Sequence, residues 1–270
     1  MEYILPSQEL LWKLERSEKN YMKDRMEAIQ NRQWNPEGVE IAYFGDTIGL
    51  YSKTMPWPAF NTVKGFSSAD EEYIDDIIDF FRSRQRKVQF EIVPTRVDQR
   101  ILAELSERGL YQSGFHTSMY GIPKRDEKPH FSDNVKIKEL TEQDFNTYAE
   151  IHCRGTGLPD NGIPPVAENN KILWDRPGWK FFIAYVNDQA AATGVMHSQN
   201  GITSLTFAAT LPEYRNQGLH RALLKARINE SANQNGELVV GQCAFLSQSH
   251  RNMESVGMRL GYVRTTWTER

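Results

Sequence analysis

Cysteine is nearly missing from this chain: 270 residues contain two, Cys153 and Cys243. Two thiols cannot make a disulfide framework, and their scarcity fits a reducing compartment. His152-Cys153 has no partner ligands at metal spacing, so no metal site is expected. Long apolar runs are missing too. Nothing approaches the ~20 residues of a membrane-spanning helix, and residues 1–10 lack the charged-then-apolar pattern of a secretory signal. No single charge sign dominates. Thirty-two Lys and Arg against 35 Asp and Glu leave a net charge of −3, which gives no basic footprint for nucleic acid or an anionic membrane. A cytoplasmic protein without nucleic-acid or membrane partners is the expectation.

What is present suits globular folding. With 39% hydrophobic and 25% charged residues, the chain has enough length for two domains of roughly 130 residues, each with its own core. Leu10, Leu11, Leu14, Tyr21, Met22, Met26 and Ile29 recur at spacings of mostly three and four, so residues 7–33 read as one helix. The stripe breaks from Glu15 to Asn20, which argues against a coiled coil. The helix is expected to pack on the protein's own sheet, with a homodimer contact as the lesser alternative. Strands follow at 39–44, 47–52 and 60–66, a helix at 69–84, a strand at 88–93, a helix at 97–108 and a strand at 115–122. The segment 123–134 is charged, holds two prolines and has no periodicity, which marks a linker. The order then resumes: strand 135–140, a helix from Thr141, loop 155–165, helix 167–174, strands 181–186, 191–197 and 202–210, helix 215–233, strand 238–245, helix 249–256 and a strand near 258–267.

The chain is organised around residues 202–224. A strand (ITSLTFAAT) runs into LPEYRNQGLHRALL, where Pro212 blocks an earlier helix start. The first-turn amides of that helix have no internal partners and carry the positive end of the helix dipole, a setting for phosphate. Arg215 adds charge, and Gly218 keeps the backbone approachable.

Arg215-x-x-Gly218-x-His220 resembles the acyl-CoA pyrophosphate loop of the GCN5-related N-acetyltransferase (GNAT) family, Q/R-x-x-G-x-G/A, with His220 where Gly or Ala is usual. The element order from 135 onward is that family's, and residues 249–258 are similar to its last-helix pattern. The resemblance implies an α/β chain of two acyl-CoA N-acyltransferase domains in tandem, each a mixed, mostly antiparallel sheet flanked by helices. A degenerate copy would occupy 1–125, a linker 126–134 and the catalytic domain 135–270. At the corresponding point of the first half, residues 63–72 have no such loop, and Asp70, Glu71 and Glu72 crowd the helix start.

The resemblance also implies an acetyl-CoA site made by Arg215, Asn216, Gln217, Gly218, Leu219 and His220. Ala208, Ala209 and Thr210 would meet the acyl group at a strand bulge, and Ser249 and Asn252 would come from the last helix, which Ser249 would cap. The implied activity is N-acetylation of a primary amine, on a small molecule or a peptide, by direct attack. The usual helpers are missing: 202–210 has no carboxylate, and Met253 stands where a Tyr acid is common. His197 is the preferred base candidate by its ordinary pKa, ahead of Glu213, and Cys243 is a lesser candidate for a thiol donor or nucleophile. His116, His130 and His250 read as surface residues. The missing base keeps a second reading open, a non-catalytic acyl-CoA-binding or regulatory module. A third, an aminoacyl-tRNA-dependent transferase, is opposed by the acidic balance.

Overall fold

Residues 4–126 and 134–270 are described by the computed structural model. They gather into two units, 4–118 with 260–270, and 119–259. No helix among the described residues is long and apolar enough to cross a membrane.

In the first unit, α1 (Gln8–Gln30) starts where the Ser7 hydroxyl accepts from the Leu10 N–H at 3.2 Å, satisfying one orphan donor of the first turn. All seven residues of the expected stripe are buried, and so are Glu15 and Glu18 from its gap. The interruption is a charged patch of the same buried face. Strands β1 (Val39–Phe44) and β2 (Thr47–Ser52) form the expected hairpin, with Gly45 at φ +63. After β3 (Thr62–Lys64) the chain makes a 3₁₀ turn, Ser68–Tyr73, before α2 (Ile74–Arg82). The acidic residues do not cap a helix there. Asp70 instead accepts from the Asp46 N–H and the Thr47 hydroxyl of the hairpin, and Glu71 pairs with Arg100. Ile74, Ile77, Ile78 and Phe81 of α2 pack with Phe90 of β4 (Gln89–Ile92) and with Ile101 and Leu105 of α3 (Gln99–Glu107). The next strand, β5 (Leu110–Gly121), begins in this unit, and its end from Met119 packs with the second.

The second unit begins with β6 (Val135–Glu139) and a capping box in which Asp144 accepts from the N–H and the hydroxyl of Thr141. Then come α4 (Phe145–Thr156), α5 (Ile163–Lys171), β7 (Trp179–Val186), β8 (Gln189–Gln199) and β9 (Ile202–Thr210). The last elements are α6 (Leu219–Asn233), β10 (Leu238–Cys243) and α7 (Gln248–Ser255). The expected loop at 155–165 is largely helical, because Pro164 and Pro165 sit in the first turn of α5, where a missing N–H costs nothing. The sheet runs β6-β7-β8-β9-β10, antiparallel except for the parallel β9–β10 pair.

The final strand, β11 (Arg259–Glu269), departs from the expected range 135–270. From Leu260 onward it belongs to the first unit, antiparallel to β4 from Gln89↔Thr268 to Ile92↔Thr265. That unit's sheet is β1-β2-β3-β4-β11. Except for Asp126 and Asn134, the expected linker lies outside the described residues, as does His130.

β11 also delivers Arg264 into a buried ion cluster. Lys64 Nζ lies 2.9 Å from Glu18 and 2.5 Å from Glu91, and Arg264 pairs with both carboxylates. Burial raises the Glu18 pKa, and adjacent Arg264 and Lys64 more than reverse this, leaving it at about 2. Because the folded pKa lies below the ordinary 4.5, this stabilisation is complete above about pH 4.5 and is lost as pH falls toward 2. It amounts to about 3 kcal/mol. Denaturation midpoints measured from pH 5 to 2 should fall steeply in wild type and less in Glu18→Gln.

Candidate active site

Strands β9 and β10 pair from Ile202↔Leu238 to Leu205↔Gly241 and no further. Past that point they part, leaving a cleft between Thr206–Thr210 on one side and Gln242-Cys243 on the other. On the opposite edge of β9, Thr206 faces Val195 and Ala209 faces Thr193. Phe207 and Ala208 therefore stand against Gly194 alone. This is a β-bulge, with Phe207 at φ +45. The bulge is expected at 208–210 from the sequence, but Ala209 and Thr210 are back in register with Thr193 and Ala192. The irregular residues are one position earlier, because Phe207 takes the left-handed conformation. Above Ala209 and Thr210, a Cβ on Gly155 of α4 would meet both at 3.0 Å, so the helix lies directly on this stretch of backbone.

From Thr210 the chain makes a 3₁₀ turn, Pro212–Tyr214, and α6 begins at Leu219 rather than at 215. Asn216 (φ +62) and Gly218 (φ +79) are both left-handed, and residues 215–218 are exposed. Such alternation turns successive amides toward one point at the helix's positive end, a nest for an anion. Nothing lies within 4 Å of a Cβ added to Gly218, so the space in front is open and the glycine is demanded by φ. The Arg215 guanidinium donates to the Gly155 carbonyl at 3.0 Å, which anchors the loop to the end of α4.

Two expected residues from different helices meet. Asn252 of α7 donates to His220 Nδ1 at 3.0 Å while its own oxygen accepts from Gln248. The His220 proton is thereby placed on Nε2. Burial, helped by Arg227, pushes the His220 pKa down to about 4, so the ring is neutral at pH 7. Ser249 does not cap α7. Ser247 does, accepting from the His250 N–H at 3.2 Å, because the helix starts one residue earlier than its pattern suggested. His250 is buried rather than superficial; its Nδ1 accepts from the Leu246 N–H. His116 is half-buried.

His197 is buried on β8, its ring centroid 4.7 Å from that of Trp179. It lies three residues, about 10 Å, along β8 from Gly194, the residue opposite the bulge. Cys243 and Met253 are buried together in the core beside α6. Gln242 alternates with Cys243 and so faces the other side of the sheet; its Nε2 is buried with no hydrogen-bond partner. An orphan donor at the mouth of a cleft suits a ligand carbonyl. Among the described residues no three His, Cys, Asp or Glu side chains are grouped to hold a metal.

Arg227 is not among the residues that the sequence patterns single out. It occupies a helical step of the buried stripe Leu219-Leu223-Arg227-Ser231, and an arginine on the apolar face was the available signal.

The corresponding place in the first unit differs. β3 and β4 pair in parallel at Val63↔Phe90, but the space past them is lined by Glu15, Glu18 and Lys19 of α1 together with Lys64, Glu91 and Arg264. Lys19 covers Gly65: a Cβ there would meet its Cδ at 2.7 Å.

No family model and no curated protein matches this chain. Solved structures do. A GCN5-related N-acetyltransferase from Kribbella flavida aligns with a TM-score of 0.66 at 12% identity, over 94% of this chain and 95% of its own. One from Sphaerobacter thermophilus gives 0.59 at 14%, over 74% and 65%. A tandem GNAT protein from the clavulanic acid biosynthesis pathway gives 0.53 at 16%, over 69% and 65%.

Proposed function

The fold of this chain is that of the GCN5-related N-acetyltransferases in tandem form, and we propose that it is an acetyl-CoA-dependent N-acetyltransferase with its donor site in the second unit. The supporting observation is the left-handed pair Asn216 and Gly218, which sets an exposed amide nest at the start of α6 beyond the open end of the β9–β10 cleft. Residues 215–220 hold the pyrophosphate. Asn252, through His220, lines the same end, and Gln242 offers its free donor to an amide carbonyl of the donor's arm. The donor supplies an activated thioester. The bulge at Phe207 and Ala208 receives the acyl oxygen. A primary amine of a small molecule or peptide attacks the acyl carbon, the C–S bond breaks, and the thiol leaves with the proton the nitrogen loses. In this reading the first unit holds no cofactor, because residues of α1 and the buried charges of its ion cluster line the equivalent space.

Release of free thiol from acetyl-CoA, followed across a panel of amines, tests this reading. Tight CoA binding with no turnover on any amine favours the binding-module reading instead. His197→Gln is expected to lower turnover by about 10²-fold while leaving CoA affinity unchanged. Unchanged turnover removes His197 from the reaction and leaves orientation of an already neutral amine as the route.

A further inference from the structure

A fully buried arginine in the second unit has no acidic partner among the described residues. Arg227 of α6 is 1% exposed. Its Nη1 donates to the carbonyls of Val195 (2.8 Å) and Thr206 (3.2 Å), and its Nε donates to Leu223 one helical turn back (3.0 Å). Burial alone pushes its pKa down to about 9, so the charge persists at neutral pH. Isolated buried charges are costly and are ordinarily paired. Among the described residues, this one is solvated only by main-chain oxygens.

The position of those oxygens is informative. Val195 and Thr206 are the last regular pair of β8 and β9 before the bulge, and one Nη1 bridges them. Thr206 C=O belongs to the same peptide group as the Phe207 N–H, so the guanidinium draws electron density from the first amide of the bulge. Such polarisation along linked hydrogen-bonding groups strengthens the donor at the far end. Room for the guanidinium comes from Gly194, the residue opposite the bulge: a Cβ there would lie 2.8 Å from Arg227 Cζ. Gly194, Arg227 and the left-handed Phe207 form one device.

We propose that Arg227 is a positioning residue for acyl transfer. It locks the Phe207–Ala208 bulge in shape and polarises its amides toward the negative charge that gathers on the acyl oxygen as the amine attacks. This rests on the donor site proposed above. The device acts on the acyl carbonyl rather than on the amine, so it is separate from the base that β9 lacks. Fixed donors and charges at that point are among the largest contributions to catalysis of this type.

The test reads the carbonyl directly. Acetyl-CoA carrying a ¹³C carbonyl is bound to wild type, Arg227→Met and Gly194→Ala, and the carbonyl stretch is recorded by infrared difference spectroscopy. Its affinity is measured by calorimetry on the same samples. Wild type should bind and shift the stretch to lower frequency. Both variants should bind with affinity within about threefold of wild type, because residues 215–220 are untouched, and both should lose the shift. Where an accepted amine is known, kcat should fall on the order of 10-fold with KM for acetyl-CoA little changed, less than the 10²–10³ lost with a direct donor. If Arg227→Met does not fold, Gly194→Ala carries the test alone, since it displaces the guanidinium without removing it. An undiminished shift in a variant that binds overturns the inference. Failure of wild type to bind acetyl-CoA overturns the donor-site reading beneath it.

Discussion

Gly218→Asp should remove CoA binding, at least about 10²-fold in Kd by isothermal titration, without unfolding the chain. Two effects act together. A carboxylate at the positive end of α6 satisfies the amides that would receive phosphate and repels that phosphate. The residue must also hold φ +79, which Asp tolerates better than most side chains. The fold should survive, because nothing lies within 4 Å of the new Cβ. Gly218→Ala separates the two effects: it carries the left-handed strain of about 1–2 kcal/mol without the charge, and should weaken binding far less. Unchanged affinity in the Asp variant would mean that the nest does not hold the donor.

The largest effect on stability is expected from Lys64→Met. Lys64, Glu18, Glu91 and Arg264 form a buried group of two positive and two negative charges. Removing one cation leaves two carboxylates, each under 10% exposed, sharing Arg264. Breaking a buried pair in this way costs about 3–5 kcal/mol. Urea denaturation should show this loss, while CoA affinity measured well below the midpoint should stay at the wild-type value. A loss of CoA affinity in the folded variant would move the donor site to the first unit. A stability change below about 1 kcal/mol would mean that water reaches the cluster and screens it.

The two sites were unequally legible. The loop 215–220 was readable because its chemistry is local: glycine for a left-handed turn, proline before the helix, and a cation beside it all lie within nine residues. The first unit's filled cleft was half legible. Residues 63–72 showed no phosphate loop, but that Glu18 of α1 and Arg264 of the last strand complete the cluster depends on contacts 46 residues apart or more. The break in the α1 stripe at Glu15 and Glu18 was visible, and its meaning was not. Two carboxylates in a helix read as a solvated gap until the cations that neutralise them are placed.

By itself the sequence determined the order of elements, the hairpin between strands 39–44 and 47–52, and the central strand 202–210, while the helix after it starts four residues later than expected. Each depends on periodicity or on turn residues that act over a few positions. The tertiary structure alone decided that the last strand leaves the second unit to pair with β4, that the bulge falls at Phe207 and Ala208, that Asn252 holds His220, and that Arg227 is buried beneath the bulge against main-chain oxygens. These are choices of partner between segments remote in the chain. Local patterns set which face a residue turns inward, but which group it meets there follows from strand pairing and from the need to satisfy every buried charge.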